Sequence, residues 1–330
     1  MQNNKYIKAW EEYKTKELDG VLPIINKLGF SLSEKQVHIN GERYLTSGKK
    51  LVLMGHQTSN DKKVIIKISS FAKQINEIKK ERKNKQVLKT INFSYHTFLL
   101  PREILFTQKK GYCILITEFI EQEKTFLERD FKKQYFLALK TFEAQEGVHI
   151  TTHKHSSVIK KTFGLMNGLD YLKTFKSYKT HILSYFPQDN ELNLLFTKAQ
   201  NFLETNIKTI NLYSNFLTHW DFVPHNIRIN EENIYLLDHS SLRFGNKHES
   251  WARFINFMIL YNRPLEKSLI EYIKNNRTPE ESLSLKLMRV FRLTELLLTY
   301  ANTLNKTSDN LHILNTKRFE FWRYVLNNLL

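Results

Sequence analysis

Within residues 216–242 lie two short apolar segments of strand type, 227–229 and 234–237, separated by Asn230-Glu231-Glu232-Asn233. Nearly everything else after about Lys124 reads as helix. A lone two-stranded hairpin is marginal in water, so this one has to be held by the helices around it. A hairpin embedded in a helical region is an unusual arrangement, and the polar residues of the chain gather beside it.

The first third of the chain has a different pattern. About thirty residues of helical character come first, with Trp10, Tyr13, Leu18 and Leu22 as the apolar side and Gly29 as the stop. Three strands are expected next, at 42–46, 50–54 and 63–68, with turns at Ser47-Gly48 and over 55–62. A long helix over 71–91 follows, then strands at 102–106 and 112–119 with Gly111 at the turn between them. Cys113-Ile114-Leu115-Ile116 is continuously apolar and reads as a buried central strand. Among the later helices, Thr278-Pro279-Glu280-Glu281 marks one start clearly, with an N-cap Thr, Pro at the first helical position and Glu completing a capping box. The fold class is therefore α+β.

At 330 residues the chain has room for two or three compact units. Its 41% hydrophobic and 13% aromatic content is enough for a sizeable core and argues against disorder. The single cysteine, Cys113, excludes an internal disulfide framework. No stretch approaches the roughly 18 uncharged apolar residues of a membrane helix. Residues 1–11 lack the apolar centre of a secretory signal, so a cytoplasmic protein is expected. The net charge of +17 is compatible with nucleic acid or phosphorylated ligands. Its densest run, Lys79-Lys80-Glu81-Arg82-Lys83-Asn84-Lys85, reads as a solvated helix face, and nucleic-acid binding there is the weakest of the functional readings.

The chemistry-bearing string is His219-Trp220-Asp221-Phe222-Val223-Pro224-His225-Asn226, followed across the hairpin by Leu236-Leu237-Asp238. A carboxylate opening a tight loop can accept a hydroxyl proton, and an amide oxygen on the far side of the loop can ligate a divalent cation. A second carboxylate at the end of the hairpin can complete the metal site and bridge to phosphates.

This pattern resembles the catalytic loop and metal-binding Asp of protein-kinase-like folds, and it is most similar to the aminoglycoside phosphotransferase and choline kinase relatives. The resemblance implies a bilobal fold: a helical extension over 1–35, a nucleotide-binding N-lobe of sheet and helix over 36–118, and a helical C-lobe over 119–330. It implies Asp221 as catalytic base or orienter, His219 as a brace of the same loop, and Asn226 and Asp238 as Mg²⁺ ligands. Val64-Ile65-Ile66-Lys67 is close to the strand that carries the phosphate-binding Lys, with Glu81 as the partner of Lys67 and Glu77 as the fallback. The end of the last strand, Thr117-Glu118-Phe119-Ile120, would be the hinge, where the backbone at Glu118 and Ile120 holds an adenine edge. The implied activity is transfer of the γ-phosphate of ATP, with Mg²⁺, to a hydroxyl of a small molecule. The acceptor wall would come from the helices after 124 and after 250.

Departures from the pattern are specific. No G-x-G-x-x-G precedes Lys67, Val223 stands where protein serine/threonine kinases usually carry Lys, and no A-P-E follows. No second Asp is found near Trp251-Ala252-Arg253, where relatives often have one. These features keep open a catalytically silent kinase-fold protein that binds nucleotide or a partner. The positive charge disfavours a polycationic acceptor, and an anionic one fits slightly better. Among other groups, His149, His153 and His155 read as surface, and His219, Asp221 and His225 as a less favoured metal half-site. Arg243 and Lys247 lie where they could meet phosphate, and the aromatic tail 319–324 reads as packing.

Overall fold

The computed structural model describes residues 2–40, 45, 48–91, 99–147, 153–231 and 233–330. In the first helix, α1 (Gln2–Lys27), residues Trp10, Val21, Ile24 and Ile25 are buried on one side. Leu22, expected there, lies 40% exposed, because Val21, Ile24 and Ile25 share the inward face at spacings of three and four. Gly29 ends the helix region with φ +82°, a conformation that suits glycine.

Three strands of an antiparallel sheet follow: β1 (Phe30–Leu32), β2 (Leu51–Gln57) and β3 (Lys63–Ser69). The strand expected at 42–46 falls outside the described residues except for Leu45, which is buried. The first strand is instead β1, too short to show an alternating pattern. Gly55, expected in a turn, sits inside β2. A Cβ there would lie 2.4 Å from the Ser31 carbonyl oxygen, so its role is close approach of two backbones.

Helix α2 (Ala72–Thr90) then crosses to β4 (Glu103–Lys109) and β5 (Tyr112–Glu118), giving the sheet order β1-β2-β3-β5-β4. The period of two explains the apolar run in β5. Ile114 and Ile116 join the core under α1, while Cys113 and Leu115 pack with Ile78 of α2. The same period puts Val64, Ile66 and Ile68 of β3 in the α1 core, so Lys67 emerges on the α2 face beside Leu115.

The remainder is helical: α3 (Phe131–Gly147), α4 (His153–Phe163), α5 (Gly168–Tyr185), α6 (Asn190–Thr205) and α7 (Ile207–Leu212) precede the hairpin region. After it come α8 (His248–Tyr261), α9 (Arg263–Asn276), α10 (Pro279–Leu304) and α11 (Asp309–Leu329). Helix α10 begins with the expected capping box at Thr278 and Glu281 and packs against α5, α8 and α11. Its Leu287, Val290, Phe291 and Leu297 are fully buried. No helix of the described residues is long and apolar enough to cross a membrane.

Instead of one hairpin, the inserted region has four strands. β6 (Phe216–His219) pairs with β9 (Leu242–Gly245), and β7 (Ile227–Asn230) pairs with β8 (Asn233–Leu236). Leu99, just before β4, bonds to Ile234 and Leu236 through its backbone N–H and C=O, tying the sheet lobe to the edge of the hairpin.

His248, at the start of α8, is fully buried with Nδ1 3.0 Å from the Ser284 hydroxyl. Burial, with Lys247 and Arg277 nearby, holds its pKa well below the ordinary histidine value. Below about pH 6.5 the unfolded chain takes up a proton here that the folded chain refuses, so stability falls as pH falls. Urea unfolding at pH 7 and pH 5.5 should show this loss, at up to about 1.4 kcal/mol per pH unit from this group. The slope should flatten in His248→Gln; an unchanged slope in the variant would refute the assignment.

Candidate active site

Lys67 leaves β3 toward α2 and places Nζ 2.7 and 2.6 Å from the two carboxylate oxygens of Glu81. Glu81 is 1% exposed and takes a second cation, Lys85, one turn along the helix at 3.3 Å. Burial alone would raise the Glu81 pKa, but the two lysines outweigh it and hold the carboxyl below its usual range. Burial likewise would lower Lys67, and here the Glu81 and Asp238 carboxylates prevail and raise it. Lys85 is instead pushed down, because burial and the neighbouring Lys67 charge outweigh the Glu81 and Asp238 carboxylates. Glu77, the alternative partner, lies near Lys50 at 3.6 Å on a more open surface. The basic run is thus not a uniform solvated face, since Glu81, Asn84 and Lys85 turn inward and Lys79, Lys80 and Lys83 outward. Asn84 donates to the His239 carbonyl at 2.7 Å and so fastens α2 beside Asp238.

The loop 220–226 joins β6 to β7. His219, 1% exposed, lies at its entrance. Its N–H donates to Ser250 Oγ at 2.9 Å, and that hydroxyl donates back to the His219 carbonyl at 3.1 Å. Its Nε2 sits 3.0 and 2.9 Å from the carbonyl oxygens of Leu237 and Asp238, which requires a proton on Nε2. His219 therefore clamps the two ends of the region together. The Trp220 ring lies between two guanidinium groups, Arg243 at 3.0 Å and Arg292 at 4.1 Å. Arg292 also donates to the Trp220 carbonyl at 2.7 Å. Both arginines are paired with the buried Glu249. Arg243 is thereby committed to loop support, and Lys247 to Glu146 and Glu281, so the phosphate contacts entertained for them do not form around free cations.

Asp221 follows. Asn226 Nδ2 donates to its backbone carbonyl at 2.8 Å and to its Oδ2 at 2.9 Å. With the amide nitrogen so used, Asn226 offers its Oδ1 as a neutral oxygen donor. Arg253 of α8 donates to Asp221 Oδ1 at 3.0 Å. Burial would raise the Asp221 pKa, but the Arg253 guanidinium outweighs it and holds the carboxyl below its usual range. The Leu237 N–H donates to the Asn226 carbonyl at 2.8 Å, bringing the end of the hairpin against the loop. Asp238 then adopts a left-handed conformation, φ 53°, uncommon for a residue with a side chain. Ser240 donates to its Oδ1 at 2.6 Å. Burial is overcome again, here by Lys67 and Lys50, and the Asp238 carboxyl is held low.

At the end of β5, Glu118 is already engaged. Its N–H donates to the Arg102 carbonyl at 3.0 Å and its carboxylate accepts the Arg102 N–H at 2.7 Å. The Glu118 N–H is thus taken up within the sheet lobe. The Ile120 backbone has no hydrogen-bond partner among the described residues.

The structure brings Lys67, Glu81 and Asp238 into one electrostatic group, and Asp221, Asn226 and His219 into one hydrogen-bonded loop against it. Sequence reasoning missed Lys85, Asn84, Ser250, Arg253 and Arg292. Asn84 and Lys85 were within reach, since they follow Glu81 at helical spacings of three and four. Ser250 and Arg253 stand where the second Asp was looked for, and the partners that α8 and α10 supply follow no local pattern. Among the described residues no cluster of three or more His, Cys, Asp or Glu side chains could hold a metal by itself. A carboxylate and an amide oxygen suit Mg²⁺, which takes few protein ligands and keeps water and phosphate oxygens. The metal half-site of His219, Asp221 and His225 does not form, since no group of three His, Cys, Asp or Glu side chains among the described residues is placed to hold a metal ion. The side chains of His149, His153 and His155 lie outside the described residues.

No family profile matches the chain, and no curated protein matches it in sequence. Solved structures do match it in fold. A thermostable mutant of aminoglycoside phosphotransferase APH(4)-Ia, in ternary complex with AMP-PNP and hygromycin B, superposes with a TM-score of 0.66 at 14% identity, covering 93% of this chain and 97% of that one. Spectinomycin phosphotransferase APH(9)-Ia, with ADP and its antibiotic, gives 0.57 at 15% identity over 93% and 98%. The amicoumacin kinase hAmiN, with AMP-PNP and Ca²⁺, gives 0.59 at 12% over 98% and 96%. The chain therefore has the bilobal, protein-kinase-like fold of the aminoglycoside phosphotransferases.

Replacing Glu81 by Gln removes the one carboxylate bonded to both inward lysines. Denaturant unfolding of Glu81→Gln should show a loss of about 3–5 kcal/mol. Lys67→Met should lose less, because Lys85 still pairs with Glu81, and Glu77→Gln should lose no more than about 1 kcal/mol. Equal losses for Glu81→Gln and Glu77→Gln would contradict this ranking.

Proposed function

We propose that the chain is an ATP- and Mg²⁺-dependent phosphotransferase acting on a hydroxyl of a small molecule. The observation that supports this most is the meeting of the Lys67–Glu81 pair with Asp238, directly beside the Asp221–Asn226 loop. In this reading residues 36–118 bind nucleotide, 119–330 carry the catalytic loop and acceptor site, and 1–35 form an extension whose helix packs on the sheet and whose strand β1 joins its edge. Lys67 holds the α- and β-phosphates, and Glu81 keeps its ammonium aimed at them. The Glu118 carbonyl and the Ile120 backbone receive the adenine edge. Asn226 Oδ1 and the Asp238 carboxylate would hold Mg²⁺, which neutralises charge on the phosphates.

Asp221 orients the acceptor hydroxyl. The hydroxyl oxygen forms a bond to the γ-phosphorus while the bond from that phosphorus to the bridging oxygen breaks and ADP leaves. The hydroxyl proton passes to the Asp221 carboxylate. A carboxyl held low by Arg253 is a weak base, so it takes that proton late, and positioning supplies most of the catalysis.

The Arg253–Asp221 pair also favours a second reading, a silent protein that binds nucleotide without transfer. ADP release over a panel of hydroxyl compounds separates the two. The parent should release ADP with some acceptor, and Asp221→Asn should lose at least about a hundredfold in turnover. Equal turnover in both removes Asp221 from its role. Mg²⁺-dependent stabilisation by ATP with no release for any acceptor favours the silent protein.

A further inference from the structure

Lys67 is not the only ammonium that the sheet turns toward α2. In β2, Leu51 and Leu53 join the core under α1, so Val52, paired with Lys67, belongs to the opposite face, and so does Lys50 two residues earlier. Lys50 Nζ lies 3.6 Å from Glu77 Oε2, which confirms that face. Glu77 and Glu81 are one helical turn apart on α2. Two lysine–carboxylate rungs therefore stand side by side, Lys50–Glu77 and Lys67–Glu81, and Asp238 lies within electrostatic reach of both lysines.

The rungs differ in a way that matters for a ligand. The inner one has two short hydrogen bonds to a carboxylate 1% exposed. The outer one is a long ion pair whose carboxylate is 41% exposed, and the Lys50 ammonium has no hydrogen bond among the described residues. A pair of that kind holds weakly, and Glu77 can return to water without being stranded in the interior. The backbone around Lys50 is, in contrast, well fixed. Its N–H donates to the Gly48 carbonyl at 2.7 Å, the Lys49 carbonyl accepts from the Ser69 hydroxyl, and a Cβ on Gly48 would lie 2.8 Å from Gln74 Nε2 of α2. The turn is seated on the start of α2, so a change of partner asks only for side-chain rotation.

Register gives the order along the sheet. The end of β5, where the adenine edge is placed, is level with Val64 of β3, since Val64 pairs with Glu118. Lys67 is three residues farther along β3, and Lys50, just beyond the Leu51–Ile68 pair, is two farther again. Two residues of strand are about 7 Å. That step is comparable with the span from the first to the last phosphate of a triphosphate. No glycine-rich run precedes Lys67 to offer backbone N–H groups to the outer phosphates, so a cation at this place has a task to perform.

We propose that Lys50 determines the phosphate specificity of the nucleotide site: it leaves Glu77 for the terminal phosphate of a nucleoside triphosphate, while Lys67 holds the inner phosphates. The site then prefers a triphosphate to a diphosphate. A terminal phosphate carries more than one negative charge and accepts short charge-assisted hydrogen bonds, so it outcompetes a partly exposed carboxylate at 3.6 Å. Glu77 is the resting partner that keeps the ammonium beside the site before nucleotide arrives. This rests on the nucleotide-binding half of the reading above and is independent of transfer.

Calorimetric titration of the full chain with AMP-PNP and with ADP, each with Mg²⁺, tests this without turnover. The parent should bind AMP-PNP more tightly than ADP. Lys50→Met should weaken AMP-PNP binding at least about tenfold and ADP binding less than about threefold, with Lys50→Arg intermediate. ADP binding kept by Lys50→Met shows that this variant is folded. Glu77→Gln sets phosphate holding apart from a merely structural ion pair, which both variants would break alike. It frees the ammonium, so AMP-PNP binding should hold or tighten. AMP-PNP binding unchanged in Lys50→Met, equal losses for AMP-PNP and ADP, or an equal loss in Glu77→Gln and Lys50→Met overturns the inference and leaves the nucleotide-binding reading in place. The expected binding pattern with no ADP release for any acceptor keeps the inference and removes the transferase reading. A parent that binds neither nucleotide overturns both.

Discussion

A single inward carboxylate, that of Glu81, joins the parts of this molecule that matter for its chemistry. Two lysines converge on it from different elements, Lys67 from the central sheet and Lys85 from its own helix. Taking three charges out of water is unfavourable unless they are paired, so the sheet and α2 are held at one spacing. The adjacent Asn84 carries the constraint across the lobes, since it binds the backbone next to Asp238. The cation that β3 presents and the carboxylate that ends the hairpin are thereby kept face to face.

On the other side, the loop 220–226 is held by groups from distant helices. Ser250 and His219 lock its entrance, Arg292 grips the Trp220 carbonyl, and Arg253 pairs with Asp221. Each of these partners is spent on the loop.

Much of this was legible in sequence where the signal was local. The apolar runs of β3 and β5 and the capping box at Thr278 each depend on neighbouring residues, and the structure has those elements; the Lys67–Glu81 pair followed from the resemblance, and the two side chains do meet. The strand β1 was not legible, because three residues cannot display a period. Gly55 was misplaced because glycine marks turns and close approaches alike. The pairing β6–β9 and the braces Ser250, Arg253 and Arg292 depend on contacts between segments far apart in the chain, for which local pattern has no term. The cavity lined by Arg253, Tyr300 and Trp322 belongs to the same class, since three helices and the sheet lobe each supply part of its wall.

The account depends on Lys67, Asn226 and Asp238 sharing one bound triphosphate. A crystal structure of the chain with Mg²⁺ and a non-hydrolysable ATP analogue measures this directly. The account predicts the phosphates between Lys67 Nζ and the Asp238 carboxylate, with metal density contacting Asp238 and Asn226 Oδ1. A nucleotide bound elsewhere, or a crevice still empty at saturating analogue, would contradict it.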